Sequence, residues 1–412
     1  MESAQSKVYS VSTLDEARTI EFEETKLSLG LQVLRGLLIV WRALANGCLE
    51  FLRRSWFITK PEKLGTPSSV VVYMNGTLGD HIVHLPVIAG LKKKYSSATL
   101  TVVSWCGDFP MAELLSAEPY IDTIVTLHDH PVVRDGFRFG FSDTILESLR
   151  CDVFVNLSPF GNRGVLGFVL REMIFARKIH ARYAIGFHMF SLDIRGILNG
   201  LKHYFVVNEP RRAAIVLNDL DLPETTLGDV LSLNVEERKS VQKKIAAMVN
   251  SPRPIVVVNP GAKFMIKCWP AERFAAIASW LSKEFNAHII ITGIDSEKGL
   301  AERIVAESGG KAVSLAGETS MLELIELLRM SALCVTNDTG TMHVAALLQR
   351  PMVAIFGTRI SPTHWFPNSH RARILFSFAP SSYSFSDEGG ADESILRIQV
   401  DDVKQAVRDV FH

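Results

Sequence analysis

The stretch from residue 334 to residue 358, CVTNDTGTMHVAALLQRPMVAIFGT, constrains the fold most strongly. It reads as an apolar strand, a polar turn with a glycine, a helix and a second apolar strand. Two strands joined through a helix run parallel, so the segment predicts a parallel α/β sheet. The first strand delivers Asp338, Thr339 and Gly340 to a helix that begins near Thr341. Free backbone N–H groups and the helix dipole favour a phosphate there, although an ordinary capped turn has the same pattern.

The length and composition set the outer bounds of the fold. A chain of 412 residues exceeds what one hydrophobic core usually supports, which predicts two domains. The formal net charge is zero, and no nucleic-acid partner is expected. The five cysteines are scattered through mostly apolar runs, so we expect free thiols in a reducing compartment rather than disulfides or a zinc site.

Strands and helices alternate through most of the chain. In the first half, the predicted elements are strands at 70–74, 99–105, 123–127, 153–157 and 204–207 and a helix from 81 to 95. In the second half, they are strands at 254–259, 288–293 and 312–315 and helices at 235–248, 272–284 and 298–307, together with a helix opened by a Ser320–Glu323 capping box. Two doubly wound domains bind ligands where the strand C-termini meet, so the expected site is a cleft between the domains.

The N-terminal region has a different composition. Residues 1–26 are polar and acidic, and we expect a disordered tail without the features of a secretory signal. Residues 27–57 place polar side chains on one narrow stripe of a helix, which predicts a long amphipathic helix. Arg35 and Arg42 interrupt every apolar window long enough to span a bilayer. The helix is expected to lie on a membrane surface, on its own domain or on a second subunit.

The first candidate site segment is NGTLGDHIVHLP at residues 75–86, between the first strand and the first helix of the N-terminal domain. Asp80 stands at the helix entrance, either as a cap or as a carboxylate that takes a proton from an acceptor hydroxyl. His81 and His84 are alternative bases. His84 lies one turn into the helix and is better explained as a packed side chain.

Two further segments follow strands of the C-terminal domain. In NPGAKFMIKCWP, residues 259–270, Lys263 and Lys267 project from an irregular loop, which suits either a bound polyanion or plain solvation. In GIDSE, residues 293–297, the carboxylate of Glu297 or of Asp295 can accept hydrogen bonds from sugar hydroxyls.

Together these segments resemble glycosyltransferase family 9, the ADP-heptose:lipopolysaccharide heptosyltransferases. The resemblance runs from about Val70 to the chain end. Its most specific part is the ordered series of PGA with a downstream Lys and Trp-Pro, G-x-x-x-E after the next strand, Leu-Ala-Gly before a capped helix, and N-D-T-G-x-M-H.

The resemblance implies an α/β fold of the GT-B type. Two Rossmann-like, doubly wound domains face each other across a cleft in that fold, and the amphipathic helix is an N-terminal extension. The expected organisation is an acceptor domain at 68–215, an interdomain segment at 216–253, a nucleotide-sugar donor domain at 254–395, and a closing helix at 396–412 that crosses back to the N-terminal domain.

The resemblance also implies roles for the matching residues. Asp80 matches the general base, and Lys267 is expected to stabilise the departing nucleoside diphosphate. Glu297 matches the residue that binds the donor ribose. Donor binding is further expected at Lys263, Asp338, Thr339, Gly340, Thr341, Met342 and His343. Acceptor binding is expected at Gly79 and Arg163.

The implied activity is inverting transfer of a sugar, with heptose expected, from a nucleoside-diphosphate donor, with ADP-heptose expected. The acceptor is a lipopolysaccharide core or a related anionic glycan, and neither a metal nor a cofactor is needed. The enzyme is expected in the cytoplasm, peripheral on the inner face of the cytoplasmic membrane. The N-terminal half matches weakly beyond Gly79, Asp80 and Pro86, so the acceptor is left open.

Two alternatives share this architecture. One is a nucleotide-sugar epimerase, and the other is a catalytically inactive sugar-binding protein. A dinucleotide-binding dehydrogenase and a P-loop kinase are disfavoured because the chain lacks G-x-G-x-x-G after its first strand and lacks G-x-x-x-x-G-K-[ST].

Overall fold

The computed structural model describes residues 7–24, 29–58, 60–105, 111–126, 149–158, 165–187, 220, 222, 230–231, 235–248, 253–357, 365–377 and 393–411. The chain divides into two compact units. The N-terminal unit is Lys26–Ser232, and the C-terminal unit combines Met1–Thr25 with Leu233–His412. Each unit contains a sheet of parallel strands, which confirms the predicted α/β class.

The chain begins with strand β1 (Val8–Val11) and helix α1 (Leu14–Glu24), both in the C-terminal unit. Tyr9 and Val11 are buried, and the ring of Tyr9 stacks on Phe376 with a centroid separation of 5.5 Å. The prediction of a disordered N-terminal tail is therefore wrong for the described part of that tail. Its alternating apolar residues form an antiparallel edge strand whose partner lies near the other end of the chain.

Helix α2 (Leu29–Trp56) follows, as the amphipathic pattern predicted, and belongs to the N-terminal unit. Ala45 and Leu49 are buried in the core of this unit, whereas Leu44 and Phe51 are 66% and 71% exposed. Contact with its own unit thus covers only part of the apolar surface of α2. Within the described residues, no helix combines the length and the apolar character needed to cross a membrane.

The other described elements of the N-terminal unit are β2 (Ser69–Asn75), α3 (Leu78–Ile82), α4 (Leu85–Lys94), β3 (Thr99–Trp105), α5 (Met111–Ser116), β4 (Thr123–Thr126), β5 (Val153–Asn156), α6 (Val165–Lys178) and β6 (Tyr183–Ile185). The strands are parallel in the order β4-β3-β2-β5-β6. From β2, the chain adds β3 and β4 on one side and β5 and β6 on the other, so the order changes direction between β2 and β5. Ligands of such sheets bind at this point. The strand predicted at 204–207 lies outside the described residues.

The prediction of one helix from 81 to 95 is wrong, because α3 and α4 are separate helices. Pro86 lies in the first turn of α4. A proline has no N–H group and is tolerated only in the first turn of a helix, so the chain breaks the helix before it. This break leaves α3 as a short helix that carries Asp80 in its first turn.

The remaining elements of the C-terminal unit are α7 (Val235–Met248), β7 (Ile255–Asn259), α8 (Ala271–Glu284), β8 (His288–Ile291), α9 (Lys298–Glu307), β9 (Ala312–Ser314), α10 (Met321–Met330), β10 (Leu333–Asn337), α11 (Gly340–Leu347), β11 (Met352–Ile355), β12 (Ala372–Ser377), α12 (Glu393–Arg397) and α13 (Val400–Val410). The sheet order is β1-β12-β11-β10-β7-β8-β9, with all strands from β7 to β12 parallel. The order changes direction between β7 and β10, which predicts the ligand position in this unit.

Two helices of the C-terminal unit differ from the predicted organisation. Helix α7 was expected in an interdomain segment, but it contacts α10, where Gln242 donates a hydrogen bond of 2.6 Å to the buried Glu326. Helix α13 was expected to cross back to the N-terminal domain. In the structure, its Val403, Ala406 and Val407 are buried in the core of the C-terminal unit.

The burial pattern of β1 gives a test of its contribution to stability. Replacing Tyr9 and Val11 together by serine should lower the free energy of unfolding by about 3 to 6 kcal/mol, because each buried apolar side chain contributes roughly 1.5 to 3 kcal/mol. Urea unfolding measures this change. The exposed Ser10 between them, replaced by threonine, is the matched control, and equal stability of the two variants would show that β1 does not contribute to the fold.

Candidate active site

Two buried asparagines organise the point where the strand order of the C-terminal sheet changes direction. Asn337, the last residue of β10, donates from Nδ2 to the carbonyl of Pro260 at 2.6 Å, and its Oδ1 accepts from the N–H of Trp269 at 3.2 Å. Asn259, the last residue of β7, donates from Nδ2 to the carbonyl of Thr292 at 3.1 Å. These bonds attach both ends of the 260–269 loop to the sheet.

The anchored loop brings Lys267 to the end of β10. The ammonium Nζ of Lys267 lies 2.5 Å from Oδ2 of Asp338, and the two side chains are 16% and 9% exposed. A short 3₁₀ turn over Met265–Lys267 sets the direction of the lysine. The pair joins a residue of the loop to the turn that precedes α11.

The first turn of α11 lies next to this ion pair. Its N-cap residue, Thr339, makes no side-chain capping bond to the helix, and its hydroxyl donates to Oδ1 of Asn259 at 3.3 Å. The first-turn amides, from Gly340 to Met342, therefore keep their capacity to bind an anion. The side chain of Met342 is fully buried, so its contribution to a ligand site is its backbone.

Glu297 lies over two glycines at the ends of β7 and β8. A Cβ on Gly261 would collide with the carboxylate of Glu297, and a Cβ on Gly293 would lie 2.7 Å from its Oε2. The same Oε2 accepts from the N–H of Ile294 at 2.9 Å. Burial raises the pKa of Glu297. A carboxylate held in this way can accept hydrogen bonds from hydroxyl groups.

The other predicted donor residues take different positions. Burial lowers the pKa of His343 to about 4, so this imidazole is neutral at neutral pH, and its ring packs edge-on against Trp365. Lys263 is exposed and its ammonium lies 5.7 Å from the ring centroid of Phe264. Of the two loop lysines, Lys267 is the one that reaches the end of β10.

In the N-terminal unit, Asp80 lies in the first turn of α3, the short helix that follows β2 beside the direction change of that sheet. Its Oδ2 accepts from the N–H of Thr77 at 2.5 Å and from the Thr77 hydroxyl at 2.8 Å, which forms a capping box on α3. A Cβ on Gly76, whose φ is +114°, would lie 2.5 Å from the same oxygen. The carboxylate thus has a fixed position, and Gly79 precedes Asp80 within the same short helix.

The two histidines of this segment are buried and engaged. The Nδ1 of His81 lies 2.9 Å from the carbonyl of Thr77, its Nε2 lies 2.8 Å from the hydroxyl of Ser104, and burial lowers its pKa to about 4. The Nδ1 of His84 lies 2.6 Å from the carbonyl of Asp80. Both rings therefore support the loop. The predicted acceptor residue Arg163 lies outside the described residues.

The sequence interpretation assigned no role to Asn259 or Asn337. Their signal was present, because each is a polar residue that ends an apolar strand at the expected ligand edge. A third asparagine, Asn156, ends β5 in the N-terminal unit, where its Nδ2 lies 2.5 Å from Oε2 of the buried Glu172. Each sheet thus has a buried asparagine beside its direction change.

Comparison with known proteins identifies the family. Residues 178–389 match the sequence profile of glycosyltransferase family 9 (heptosyltransferase). Lipopolysaccharide heptosyltransferase 2 of Escherichia coli strain K12 is 31% identical over 306 residues, which cover 72% of this chain and 85% of that protein. Its Salmonella typhimurium counterpart is 33% identical over 160 residues, covering 38% of this chain and 45% of that protein.

Solved structures show the same fold. The structure of E. coli ADP-heptose lps heptosyltransferase II matches with a TM-score of 0.60 and 22% identity, covering 83% of this chain and 98% of that chain. A family 9 glycosyltransferase from Veillonella parvula matches with a TM-score of 0.58 and 20% identity, covering 84% of this chain and 97% of that chain. Family membership also sets aside the epimerase alternative. The chain belongs to glycosyltransferase family 9, the heptosyltransferase family, and it is a glycosyltransferase.

Proposed function

We propose that this glycosyltransferase moves heptose from ADP-heptose onto a lipopolysaccharide core or a related glycan, with inversion and without a metal ion. The names of the E. coli relative and of the E. coli solved structure support this substrate class. One observation carries the proposal. Lys267 and the first turn of α11 lie together at the end of β10, and Glu297 lies over Gly261, just past the end of the neighbouring strand β7.

These groups suit the parts of a nucleoside-diphosphate donor. The diphosphate is placed on the first-turn amides of α11 and on the ammonium of Lys267, which act on charge that develops as the donor bond breaks. The carboxylate of Glu297 accepts hydrogen bonds from the ribose hydroxyls. Because these donors and acceptors are held by the sheet ends, they need little reorganisation when the donor binds.

We assign the general base to Asp80. The acceptor hydroxyl loses its proton to the carboxylate while its oxygen forms a bond to the anomeric carbon. The bond from that carbon to the diphosphate oxygen breaks, and its electron pair leaves with ADP. Attack opposite the leaving group inverts the anomeric configuration. The hydrogen bonds from Thr77 hold the carboxylate in one orientation.

We further propose that α2 contacts a membrane surface on the cytoplasmic side, and its exposed apolar side chains support the contact itself. Among the described side chains of α2, the exposed large apolar ones are Val40, Trp41, Leu44 and Phe51. In contrast, Trp56 packs on its own unit, where the guanidinium of Arg177 lies 5.0 Å from its ring centroid. An acceptor attached to lipid would lie at the surface that such a helix contacts.

Replacing Asp80 by asparagine tests the proposed base. The amide oxygen can still accept from Thr77, so the fold and the affinity for ADP-heptose should be kept, while kcat for heptose transfer should fall by about 10²- to 10⁴-fold. The rate of transfer from ADP-heptose is measured through the ADP that the reaction releases. Asp122→Asn, which removes an exposed carboxylate paired with Lys92, is the charge-matched control. Near-normal kcat in the Asp80 variant would exclude Asp80 as the base.

The membrane proposal is tested by co-sedimentation with anionic phospholipid vesicles. Replacing Leu44 and Phe51 together by serine should weaken vesicle binding about tenfold or more, because their apolar surface is removed from the contact. Val313→Ser is the control, since Val313 is 55% exposed on β9 of the other unit. Unchanged binding of the double variant, or no binding by the unmodified protein, would contradict a role for α2 at the membrane.

A further inference from the structure

The ion pair between Lys267 and Asp338 presents a conflict at the proposed diphosphate site. Its two side chains are nearly buried, and the 2.5 Å between Nζ and Oδ2 is the distance of a strong charge-assisted hydrogen bond. Both residues belong to the C-terminal unit, so the pair is internal to that unit. The ammonium assigned to the diphosphate is therefore already bound to a carboxylate.

A nucleoside diphosphate that carries no sugar, such as ADP, must compete with this carboxylate for the ammonium of Lys267. When ADP occupies the first turn of α11, its phosphate oxygens and the carboxylate of Asp338 share the ammonium of Lys267 and repel each other. The neighbouring His343 is buried and neutral at neutral pH, so it supplies no second positive charge. The carboxylate thus works against binding of the nucleoside diphosphate alone.

A sugar-bearing diphosphate differs in one respect. The sugar is bonded directly to the distal phosphate, so its hydroxyls lie beside the group that contacts Lys267. Hydroxyl groups are donors that an ionised carboxylate accepts well. With the sugar present, the carboxylate of Asp338 has an alternative partner, and the ammonium of Lys267 can turn fully to the diphosphate.

We propose that Asp338 exchanges partners during the reaction, binding Lys267 when no sugar is present and binding the donor-sugar hydroxyls when the donor is bound. The proposal rests on the function proposed above. It makes Asp338 a specificity-determining residue that favours ADP-heptose over ADP. After transfer, the carboxylate of Asp338 bonds Lys267 again. The affinity for ADP then falls, which favours release of this product.

Calorimetric titration with ADP, ADP-heptose and adenosine tests this exchange in the full chain without acceptor. In Asp338→Asn, the affinity for ADP should rise about three- to tenfold, because the competing charge is removed. The affinity for ADP-heptose should change by about twofold or less, since the amide still bonds hydroxyl groups. The preference for donor over product should therefore fall. Adenosine, which has no phosphate, should bind equally well to both proteins.

Two further variants make the result decisive. Lys267→Met should weaken binding of both ADP and ADP-heptose, and Asp401→Asn, at a 90% exposed carboxylate on α13, is the matched charge control. If Asp338→Asn does not fold, Asp338→Ser has the same expected outcome. Weaker ADP binding in the Asp338 variants, or an unchanged preference for donor over product, would overturn the exchange. Failure of the unmodified protein to bind any of these nucleotides would instead contradict the proposed function.

Discussion

The position of the candidate site depends on the hydrogen bonds of one buried side chain, Asn337. Its amide bonds the two ends of the 260–269 loop, at Pro260 and at Trp269, while its backbone ends β10. The loop that carries Lys267 is therefore aligned with the turn that carries Asp338. A buried side-chain amide whose nitrogen and oxygen are both hydrogen-bonded is costly to move, because the loss of either bond leaves an unpaired buried polar group.

Both units hold a carboxylate over glycine beside the direction change of their sheet. In the N-terminal unit, Asp80 occupies the space that a Cβ of Gly76 would need, and in the C-terminal unit Glu297 lies over Gly261 and Gly293. A backbone without a side chain lets the carboxylate approach closely and fixes its direction. This arrangement explains why these glycines accompany these acids in the sequence, and it orients both carboxylates before a substrate is bound.

Local patterns predicted the elements whose causes are local. The capping box of Ser320 and Glu323 opens α10 as expected, and the predicted bounds of α7 and α9 agree with the structure. The site segments were found because polar residues interrupt apolar strands at the expected edge. The edge pairing of β1 and the packing of α13 were missed, because both depend on partners far away in the chain. The hydrogen bonds from Asn337 to Pro260 and Trp269 were missed for the same reason.

Thermal unfolding with ADP, UDP, GDP and CMP is the most direct test of a nucleoside-diphosphate site built on Lys267 and α11. A ligand that binds only the folded state stabilises it by about 2.7 kcal/mol at about 100 times its Kd. We expect a higher Tm with ADP and a much smaller shift in Lys267→Met. A clear shift with UDP and none with ADP would contradict the donor assignment, and an undiminished ADP shift in Lys267→Met would contradict the site.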